Sequence, residues 1–348
     1  MKLLEKTINK IDSLDKNSME EAQNRLDNLT KPPGSLGKLE ELAVQLAGIT
    51  GEMMPDIKKK VHILFAADHG VVAEGVSAFS QEVTTAMVRN FLNGGAAINV
   101  LANQVGAEVK IVDIGVKDEL EADDLIVNKI KAGTDNFAQG PAMSRSEAKS
   151  SIEVGIKIAK QAIDQGADLL ATGEMGIGNT TASSAIVAAI TDFSLAEVVG
   201  YGTGIDETGL ENKKEVIAKA LELNQPDSKD GVDVLAKVGG LEIGGMAGVM
   251  LAAAAEKTPV IVDGLISGAA ALIAYQLEPN VVNYLIPSHN SVEPGHSKVY
   301  QRLGLEAMLD LEMRLGEGTG AVLAMELVES ATRVIKEMAT FDELTINN

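Results

Sequence analysis

The sequence predicts an α/β protein built on a parallel β-sheet with helices on both faces. Short, continuously apolar segments alternate with longer segments of helical periodicity about six times along the chain. Strands that are apolar throughout are typical of parallel sheets, in which both faces are covered. Many of the 34 glycines directly follow an apolar segment, which is where parallel α/β proteins place ligand-binding loops.

The predicted strands are short and are separated by helical segments. They cover residues 61–67, 109–115, 168–172, 198–204, 259–264 and 281–286. Apolar residues have helical spacing over 146–165, whereas residues 117–145 are predicted as a long, partly irregular connection. A helix over 83–104 is predicted to break or kink at Gly94–Gly95, because adjacent glycines weaken a helix.

The two chain ends are helical and contain no predicted strand. We therefore expect residues 55–300 to form a large α/β domain that carries the functional site, and residues 1–54 and 301–348 to form a small helical domain. The segment 30–37 ends the first helical region, because its two prolines remove backbone donors and disfavour helix before them.

The composition argues against several classes of protein. The net charge is -20, so nonspecific binding to nucleic acid is not expected. The absence of cysteine removes disulfide and thiolate chemistry and fits a reducing, cytoplasmic location. The charged start of the chain differs from a signal peptide, and there is no apolar run of about 18 residues that would predict a membrane span.

The segment 169–185 combines an apolar strand, a glycine-rich loop and a helix of small residues. This order predicts an anion site, because unpaired N–H groups and the helix dipole meet at the start of the helix. Glycines at 173, 176 and 178 would let a phosphate approach the backbone, although a strand-to-helix turn that merely needs glycine fits as well. The pattern matches neither the Walker loop nor the dinucleotide fingerprint.

Two glutamates next to glycines are candidate functional residues. Glu174 beside the predicted anion site would repel a phosphate, so we expect it to face a cationic part of the same ligand. Glu317 lies between Gly316 and Gly318, either as an exposed loop residue or as a carboxylate that the loop delivers into a cleft. Thr319 is expected to cap the following helix, whose dipole would favour an anionic Glu317.

Polar residues concentrate at the carboxyl ends of the predicted strands, where open parallel sheets bind ligands. They lie in segments 68–70, 173–180, 202–204, 263–264 and 288–296, although turn formation alone would also place polar residues there. The histidines are near the first strand or in the last of these segments, and they are His62, His69, His289 and His296. Their spacing is not that of a metal site, so no metal is expected, and His62 is expected to be structural.

Six sequence blocks occur together and in a fixed order. They are LTKPPGSLG at 29–37, ADHGV at 67–71, EGVSAF at 74–79, GGAAIN at 94–99, GEMGIGNTT at 173–181 and GEGTG at 316–320. Over nearly its whole length the chain thereby resembles the nicotinate-nucleotide–dimethylbenzimidazole phosphoribosyltransferases of cobalamin synthesis. The resemblance implies a Rossmann-like sheet, a small helical domain formed by both chain ends, a homodimer and no cofactor. Ser80 and Ala86 depart from the family pattern, which leaves the preferred base open.

The resemblance also implies a reaction and a set of site residues. Phosphoribose would pass from nicotinate mononucleotide to 5,6-dimethylbenzimidazole or a related base, giving α-ribazole 5′-phosphate and nicotinate with inversion at the anomeric carbon. Glu317 would be the general base, and Glu174 would stabilise positive charge on the ribose. The phosphate and ribose would be bound by Gly176, Ile177, Gly178, Asn179, Thr180, Gly202, Lys213 and Asp263. The base would lie against Phe79, Ser80, Met87, Met175, Ser291 and Leu315.

Three other classes of protein stay open at this point. A nucleotide-binding oxidoreductase would need a dinucleotide site, but the glycine fingerprint for one is missing. A metal hydrolase would have to be built on the histidines. A non-catalytic sensor would bind nicotinate mononucleotide without turning it over.

Overall fold

The computed structural model describes residues 2–344 and contains one parallel β-sheet within that range. Its strands are β1 (Lys60–Ala67), β2 (Ala107–Gly115), β3 (Leu125–Val127), β4 (Leu169–Met175), β5 (Val260–Val262) and β6 (Leu285–Pro287). All paired strands are parallel, and their order is β3-β2-β1-β4-β5-β6. The predicted α/β fold class is therefore confirmed, and the strand order is that of Rossmann folds.

The helices lie between the strands and at both chain ends. They are α1 (Leu3–Ile8), α2 (Lys16–Asp27), α3 (Lys38–Thr50), α4 (Glu82–Leu92), α5 (Ala97–Val105), α6 (Arg145–Asp164), α7 (Asn179–Ile190), α8 (Leu195–Val198), α9 (Glu207–Asn224), α10 (Gly231–Val238), α11 (Leu241–Ala255), α12 (Leu265–Leu277), α13 (Pro294–Leu303) and α14 (Thr319–Glu337). Short 3₁₀ helices cover Gly70–Glu74, Pro279–Tyr284 and Phe341–Glu343. The break predicted at Gly94–Gly95 separates α4 from α5.

The strand predicted over 198–204 is wrong. Val198 ends the short helix α8, and the chain then continues without regular structure. Gly202 and Gly204 have φ angles of 51° and 98°, a left-handed backbone that cannot continue a strand. The missed strand is β3, whose three residues lie inside the segment 117–145 that was predicted as a connection.

The strand predicted over 281–286 is correct only at its end. Residues 279–284 form a 3₁₀ helix that begins at Pro279, and the strand itself covers only Leu285–Pro287. Val281 and Tyr284 are buried on this 3₁₀ turn, so their apolar character reflects burial and not strand geometry.

The sheet separates two hydrophobic layers. Ile63 and Phe65 of β1 belong to a core that includes residues of α6, α11 and α12, whereas Leu64 and Ala66 belong to a core that includes residues of α3, α5 and α14. Successive side chains of a strand point to opposite faces, so this division follows from strand geometry. It explains why the buried strands are apolar at most positions, with His62 of β1 and Glu174 of β4 among the buried polar exceptions.

Helices α2 and α3 pack with α14 from the other chain end on one face of the sheet, whereas Leu4 of α1 belongs to the core on the opposite face. Residues of α2, α3 and α14 share one hydrophobic cluster with Leu64 and Ala66, and Leu29 bridges to Thr340. The turn after α2 is held by Lys31, which pairs at 2.8 Å with the buried carboxylate of Glu40. The division of the chain into two domains stays a prediction.

Within residues 2–344, no helix combines the length and the apolarity that a membrane crossing needs. The cytoplasmic location stays a prediction.

Candidate active site

A cleft of about 400 Å³ opens beyond the carboxyl ends of β4, β5 and β6. Strand order reverses between β1 and β4, and ligands of open parallel sheets bind beside such a reversal. The lining residues are Phe79, Val83, Met87, Glu174–Ile177, Asn179, Thr180, Gly202, Thr203, Asp263–Ser267, His289, Ser291, Glu293 and Arg314–Glu317. Segments far apart in the sequence thus converge on one cavity, hereafter the cleft.

Most of the predicted site residues line the cleft. They are Glu174, Glu317, Gly176, Ile177, Asn179, Thr180, Gly202, Asp263, Phe79, Met87, Met175, Ser291 and Leu315. Ser80, Gly178 and Lys213 do not line it: Ser80 is exposed just before α4, and the other two are buried behind the wall. The functional roles assigned to all these residues stay predictions.

The glycine-rich loop joins β4 to α7, as the sequence predicts. Gly178 has a φ angle of 96° and is the N-cap of α7, a conformation that favours glycine. A Cβ atom at Gly176 would lie 2.4 Å from the carbonyl oxygen of Ala67, so the absence of a side chain here serves the packing of the loop against β1. The N–H of Ile177 donates to Thr84 Oγ1 at 3.1 Å, which fixes the loop to α4.

Lys213 lies directly behind the loop. Its side chain is fully buried, and Nζ donates to Thr180 Oγ1 at 2.9 Å and to the carbonyl of Gly200 at 3.3 Å. Burial lowers the pKa of Lys213 to about 8, and the nearby charge of Glu293 offsets only part of this. An anion on the cleft side of Thr180 would stabilise the charged ammonium.

Two residues that sequence reasoning did not assign to ligand binding hold the Gly202 peptide. The Gly202 N–H donates to Glu293 Oε1 at 3.0 Å, and Arg314 Nη1 donates to the Gly202 carbonyl at 3.1 Å. A predicted phosphate donor is therefore already bound to a carboxylate. Arg314 lies two residues before the block 316–320, and that proximity is the sequence signal that would have identified it.

Glu174 is buried at the end of β4 and is held from two sides. Asn179 Nδ2 donates to its Oε2, and the N–H of Glu317 donates to its Oε1 at 3.4 Å. Burial and the charges of Glu242 and Asp263 raise the pKa of Glu174 to about 8. The raised pKa favours the protonated form of Glu174 in the free cleft, and a bound cation would favour its ionised form.

Replacing Glu174 with glutamine is expected to stabilise the folded protein, with a gain that grows from about pH 5 to about pH 8. The pKa of this carboxyl is 4.5 in ordinary surroundings and about 8 in the folded protein. Between these values the unfolded chain binds fewer protons than the folded one, so wild-type stability falls as pH rises. Glutamine has no charge and escapes this loss. Thermal unfolding of both proteins between about pH 5 and about pH 8.5 measures the difference.

An exposed glutamate on α3 provides the control for that experiment. Glu41→Gln should change the stability of the protein little, because Glu41 is exposed to solvent. A Glu174→Gln gain that is constant or shrinks with rising pH would show that Glu174 is ionised in the folded protein.

Glu317 is held in a strained backbone conformation. Its φ angle is 62°, between Gly316 at 86° and Gly318 at 85°, so three successive residues are left-handed. Its Oε2 accepts a hydrogen bond of 3.1 Å from the N–H of Ile98 near the start of α5. The pKa of Glu317 is raised overall. Burial is the largest cause and the charge of Asp263 adds to it, whereas the hydrogen bond from Ile98 lowers the pKa and offsets part of the increase. A raised carboxyl pKa suits a general base near neutral pH.

The helix cap predicted for Thr319 is wrong. Gly318 is the N-cap of α14, and the Thr319 hydroxyl donates back to the Gly316 carbonyl at 2.9 Å. The helix start that contacts the Glu317 carboxylate is that of α5, through Ile98. The start of α14 instead holds Asp263, whose Oδ1 accepts from the Ala321 N–H at 2.9 Å.

His289 and His296 are stacked with ring centroids 5.8 Å apart, whereas His62 and His69 lie in or just after β1. His289 Nδ1 lies 3.7 Å from Asp263 Oδ1, and His69 Nε2 lies 2.8 Å from Glu242 Oε1. Burial lowers the pKa of His296 to about 3 and that of His62 to about 4, so both are neutral. Among residues 2–344, no three acidic or histidine side chains form a group that fits a metal ion.

One wall of the cleft is apolar and ends at an exposed rim. Phe79 and Leu315 are 53% and 60% exposed at the rim, while Met87 and Met175 are half-buried deeper inside. Thr203 Oγ1 accepts from the Ala78 N–H at 3.1 Å and fixes the segment before Phe79 across the cleft. A flat apolar ring would fit against this wall.

The fold and the cleft together define a class: a parallel α/β protein whose acidic, partly apolar cleft receives a small ligand at the strand ends. The sequence profile of a family described as Phosphoribosyltransferase matches residues 11–346. The chain is 60% identical to the nicotinate-nucleotide–dimethylbenzimidazole phosphoribosyltransferase of Chloroflexus aggregans, over 100% of this chain and 99% of the relative. It is 56% identical to the Desulforamulus reducens protein of that name, again over 100% and 99%. The chain belongs to the nicotinate-nucleotide–dimethylbenzimidazole phosphoribosyltransferase family.

A solved structure has the same fold. A crystal structure of CobT from Thermus thermophilus superposes with a TM-score of 0.91 at 46% identity, covering 94% of this chain and 98% of that one. The Rossmann-like sheet that the resemblance implied is therefore confirmed.

Proposed function

We propose that this protein transfers phosphoribose from nicotinate mononucleotide to 5,6-dimethylbenzimidazole or a related base. The products are α-ribazole 5′-phosphate and nicotinate. Membership of the family supports the proposed identity of the two substrates. The observation that carries the chemistry is the pair Glu174 and Glu317, which share one cleft, are joined through the Glu317 N–H and both have raised pKa values.

In this reaction two bonds change at the anomeric carbon. The bond to the nicotinate nitrogen breaks, and its electron pair neutralises the cationic ring, so no general acid is needed. The unprotonated nitrogen of the benzimidazole attacks from the opposite face, which converts the β-linkage to the α-linkage. The other ring nitrogen then carries a proton that must leave, and the Glu317 carboxylate accepts it.

Glu174 stabilises the positive charge of the nucleotide. The nicotinate ring of the bound nucleotide is cationic, and positive charge moves to the ribose as the bond breaks. A cation in the cleft opposes the burial that keeps Glu174 protonated, so the bound substrate lowers its pKa. The ionised carboxylate then stabilises the developing charge without moving, because Asn179 already holds it.

The phosphate is assigned to the start of α7. Thr180 lines the cleft and is backed by the Lys213 ammonium at 2.9 Å, so a helix N-terminus and a buried cation act at the same place. Glu293 holds the Gly202 N–H in the free cleft, and a phosphate that uses this donor takes the place of the carboxylate. Asp263, fixed by α14, accepts hydrogen bonds from the ribose hydroxyls.

The incoming base is assigned to the apolar wall. Phe79, Met87, Met175 and Leu315 provide its flat surface, and Ser291 lies at an edge. Methionine side chains adapt to differently shaped rings, which suits a site that accepts several bases. Ser80 is outside the cleft wall and acts on base choice only through the position of Phe79.

We also propose a homodimer, following the family resemblance. Phe79 and Leu315 are exposed at the cleft, and Val292 and Leu311 are exposed on segments that also contribute cleft residues; exposed apolar residues of this kind are typical of interaction surfaces. Light scattering is expected to give about twice the chain mass of 36.5 kDa. A fully active protein with the mass of a single chain would contradict the dimer.

Product analysis by mass spectrometry tests the function. The protein is incubated with nicotinate mononucleotide and dimethylbenzimidazole together, and with each alone. Transfer predicts ribazole phosphate and nicotinate only in the mixture, with no loss of activity after treatment with a chelator. Tight nucleotide binding without any product would favour a sensor, and inhibition by the chelator would favour a metal hydrolase.

A further inference from the structure

His62 is a buried polar residue that the proposed reaction does not use. It lies in the middle of β1 between Val61 and Ile63, and its side chain is fully buried. Neither ring nitrogen has a hydrogen bond of good geometry among residues 2–344, although the Glu317 backbone lies close enough to raise the pKa of the ring. Buried polar groups without partners are rare and call for a specific explanation.

The ring of His62 fills the space beneath the loop that carries Glu317. A Cβ atom at Gly318 would lie 2.0 Å from His62 Cε1, and one at Gly173 would lie 2.5 Å from the same atom. The Gly173 Cβ would also lie 2.3 Å from the carbonyl oxygen of Glu317. Real Cβ atoms do not approach this closely, so β1, β4 and the loop are packed around the imidazole without spare room.

The imidazole acts through its shape and not through a charge. Burial lowers the pKa of His62 to about 4, and the adjacent Glu317 backbone offsets only part of this. The ring is therefore neutral wherever Glu317 works as a base. It contacts the one segment of the cleft whose backbone is left-handed at three successive residues, which is a conformation that its surroundings must maintain.

We infer that His62 is a positioning residue for Glu317, an inference that rests on the proposed role of Glu317 as the base. The ring supports Gly318 from below and thereby keeps the Glu317 backbone in its left-handed conformation. That conformation directs the carboxylate into the cleft and onto the Ile98 N–H at 3.1 Å. Without the ring the loop relaxes, so the Glu317 carboxylate no longer points into the cleft and loses its hydrogen bond to Ile98.

A swap of sizes between two positions tests the contact. His62→Ala removes the support and is expected to lower kcat by about 10- to 100-fold, with KM for both substrates nearly unchanged. Gly318→Ala introduces a clash with the ring and should cost at least as much. In the double variant the methyl group added at position 318 has room, because the ring is absent. The kcat of the double variant should therefore be about 10-fold or more higher than the value expected if the two substitutions acted independently. His62→Gln fills part of the space and should retain more activity than His62→Ala.

The pH profile separates positioning from simple loss of structure. The Ile98 bond lowers the pKa of Glu317, so its loss in His62→Ala should shift the acid limb of kcat/KM to higher pH. Gly304→Ala is the matched control, because Gly304 has a similar φ of 68° but nothing within 4 Å of an added Cβ. It should keep the wild-type kcat and pH profile.

The outcomes are distinguishable. If the wild type transfers phosphoribose but His62→Ala keeps its kcat and pH profile, the inference about His62 is wrong. Additive effects in the double variant would also overturn it, because they would mean that the ring and Gly318 act independently. A wild-type protein that binds both substrates without transfer would instead overturn the proposed function.

Discussion

Glu317→Gln is expected to lower kcat for dimethylbenzimidazole by about 10²- to 10⁴-fold while leaving KM for both substrates close to the wild-type value. Glutamine keeps the size of the side chain and can accept the Ile98 hydrogen bond, but it cannot take the benzimidazole proton. The loss should therefore become smaller for a base that is already deprotonated. Steady-state kinetics across benzimidazoles of graded acidity measures both effects.

Two further variants make this result specific. Glu312→Gln is the matched control, because Glu312 is an exposed glutamate in the same segment and also has a left-handed φ of 54°. It should behave as wild type. Glu174→Gln should slow turnover equally for all bases, because the role we propose for Glu174 is to stabilise charge on the ribose and not to accept the base proton. Near-normal turnover in Glu317→Gln would make Glu174 the leading candidate for the general base.

Lys213→Met is expected to weaken binding of nicotinate mononucleotide by roughly 10- to 100-fold, the usual worth of a charge-assisted hydrogen bond. The variant removes the only buried lysine that contacts the glycine loop through Thr180, within the part of the chain that the structure describes. Dimethylbenzimidazole binding should be unchanged, since we propose that the base lies against the apolar wall of Phe79, Met87 and Leu315. Calorimetry with each substrate measures the two affinities.

The neighbouring lysine controls for a general change in charge. Lys214 pairs with Glu211 at 2.7 Å on the outside of α9, so Lys214→Met should bind the nucleotide as wild type does. Equal affinities in Lys213→Met and Lys214→Met would move the phosphate away from α7. A substitution at Gly176 would test the phosphate site less well than Lys213→Met. Any side chain at this position would clash with the Ala67 carbonyl and disturb the loop itself.

The sequence predicted most of the sheet because burial leaves a local signal. β1 and β4 are buried on both faces almost throughout, so their apolar runs identify them directly. β3 is three residues long and partly exposed, which gives no such run. Residues 198–204 have the run but not the strand, because glycines at 202 and 204 take the chain into left-handed conformations.

Residues of the candidate site were predictable from the sequence where they directly follow a strand or lie between glycines. Glu174 and Glu317 have such contexts, and the fold brings them into one cleft. The contacts of Glu293 and Arg314 with Gly202 depend on folding of distant segments, and no local pattern identifies Gly202 as their common partner. The contact of His62 with Gly318 also forms only on folding, because the sequence of β1 does not indicate which loop will pack against it.

The geometry of the product tests the central claim most directly. Wild-type protein is incubated with nicotinate mononucleotide and dimethylbenzimidazole, and nuclear magnetic resonance determines the anomeric configuration of the ribazole phosphate and the amount of nicotinate released. Direct displacement assisted by Glu317 predicts the α-anomer, with one nicotinate released for each base consumed. A β-anomer, or nicotinate released without consumption of the base, would contradict it.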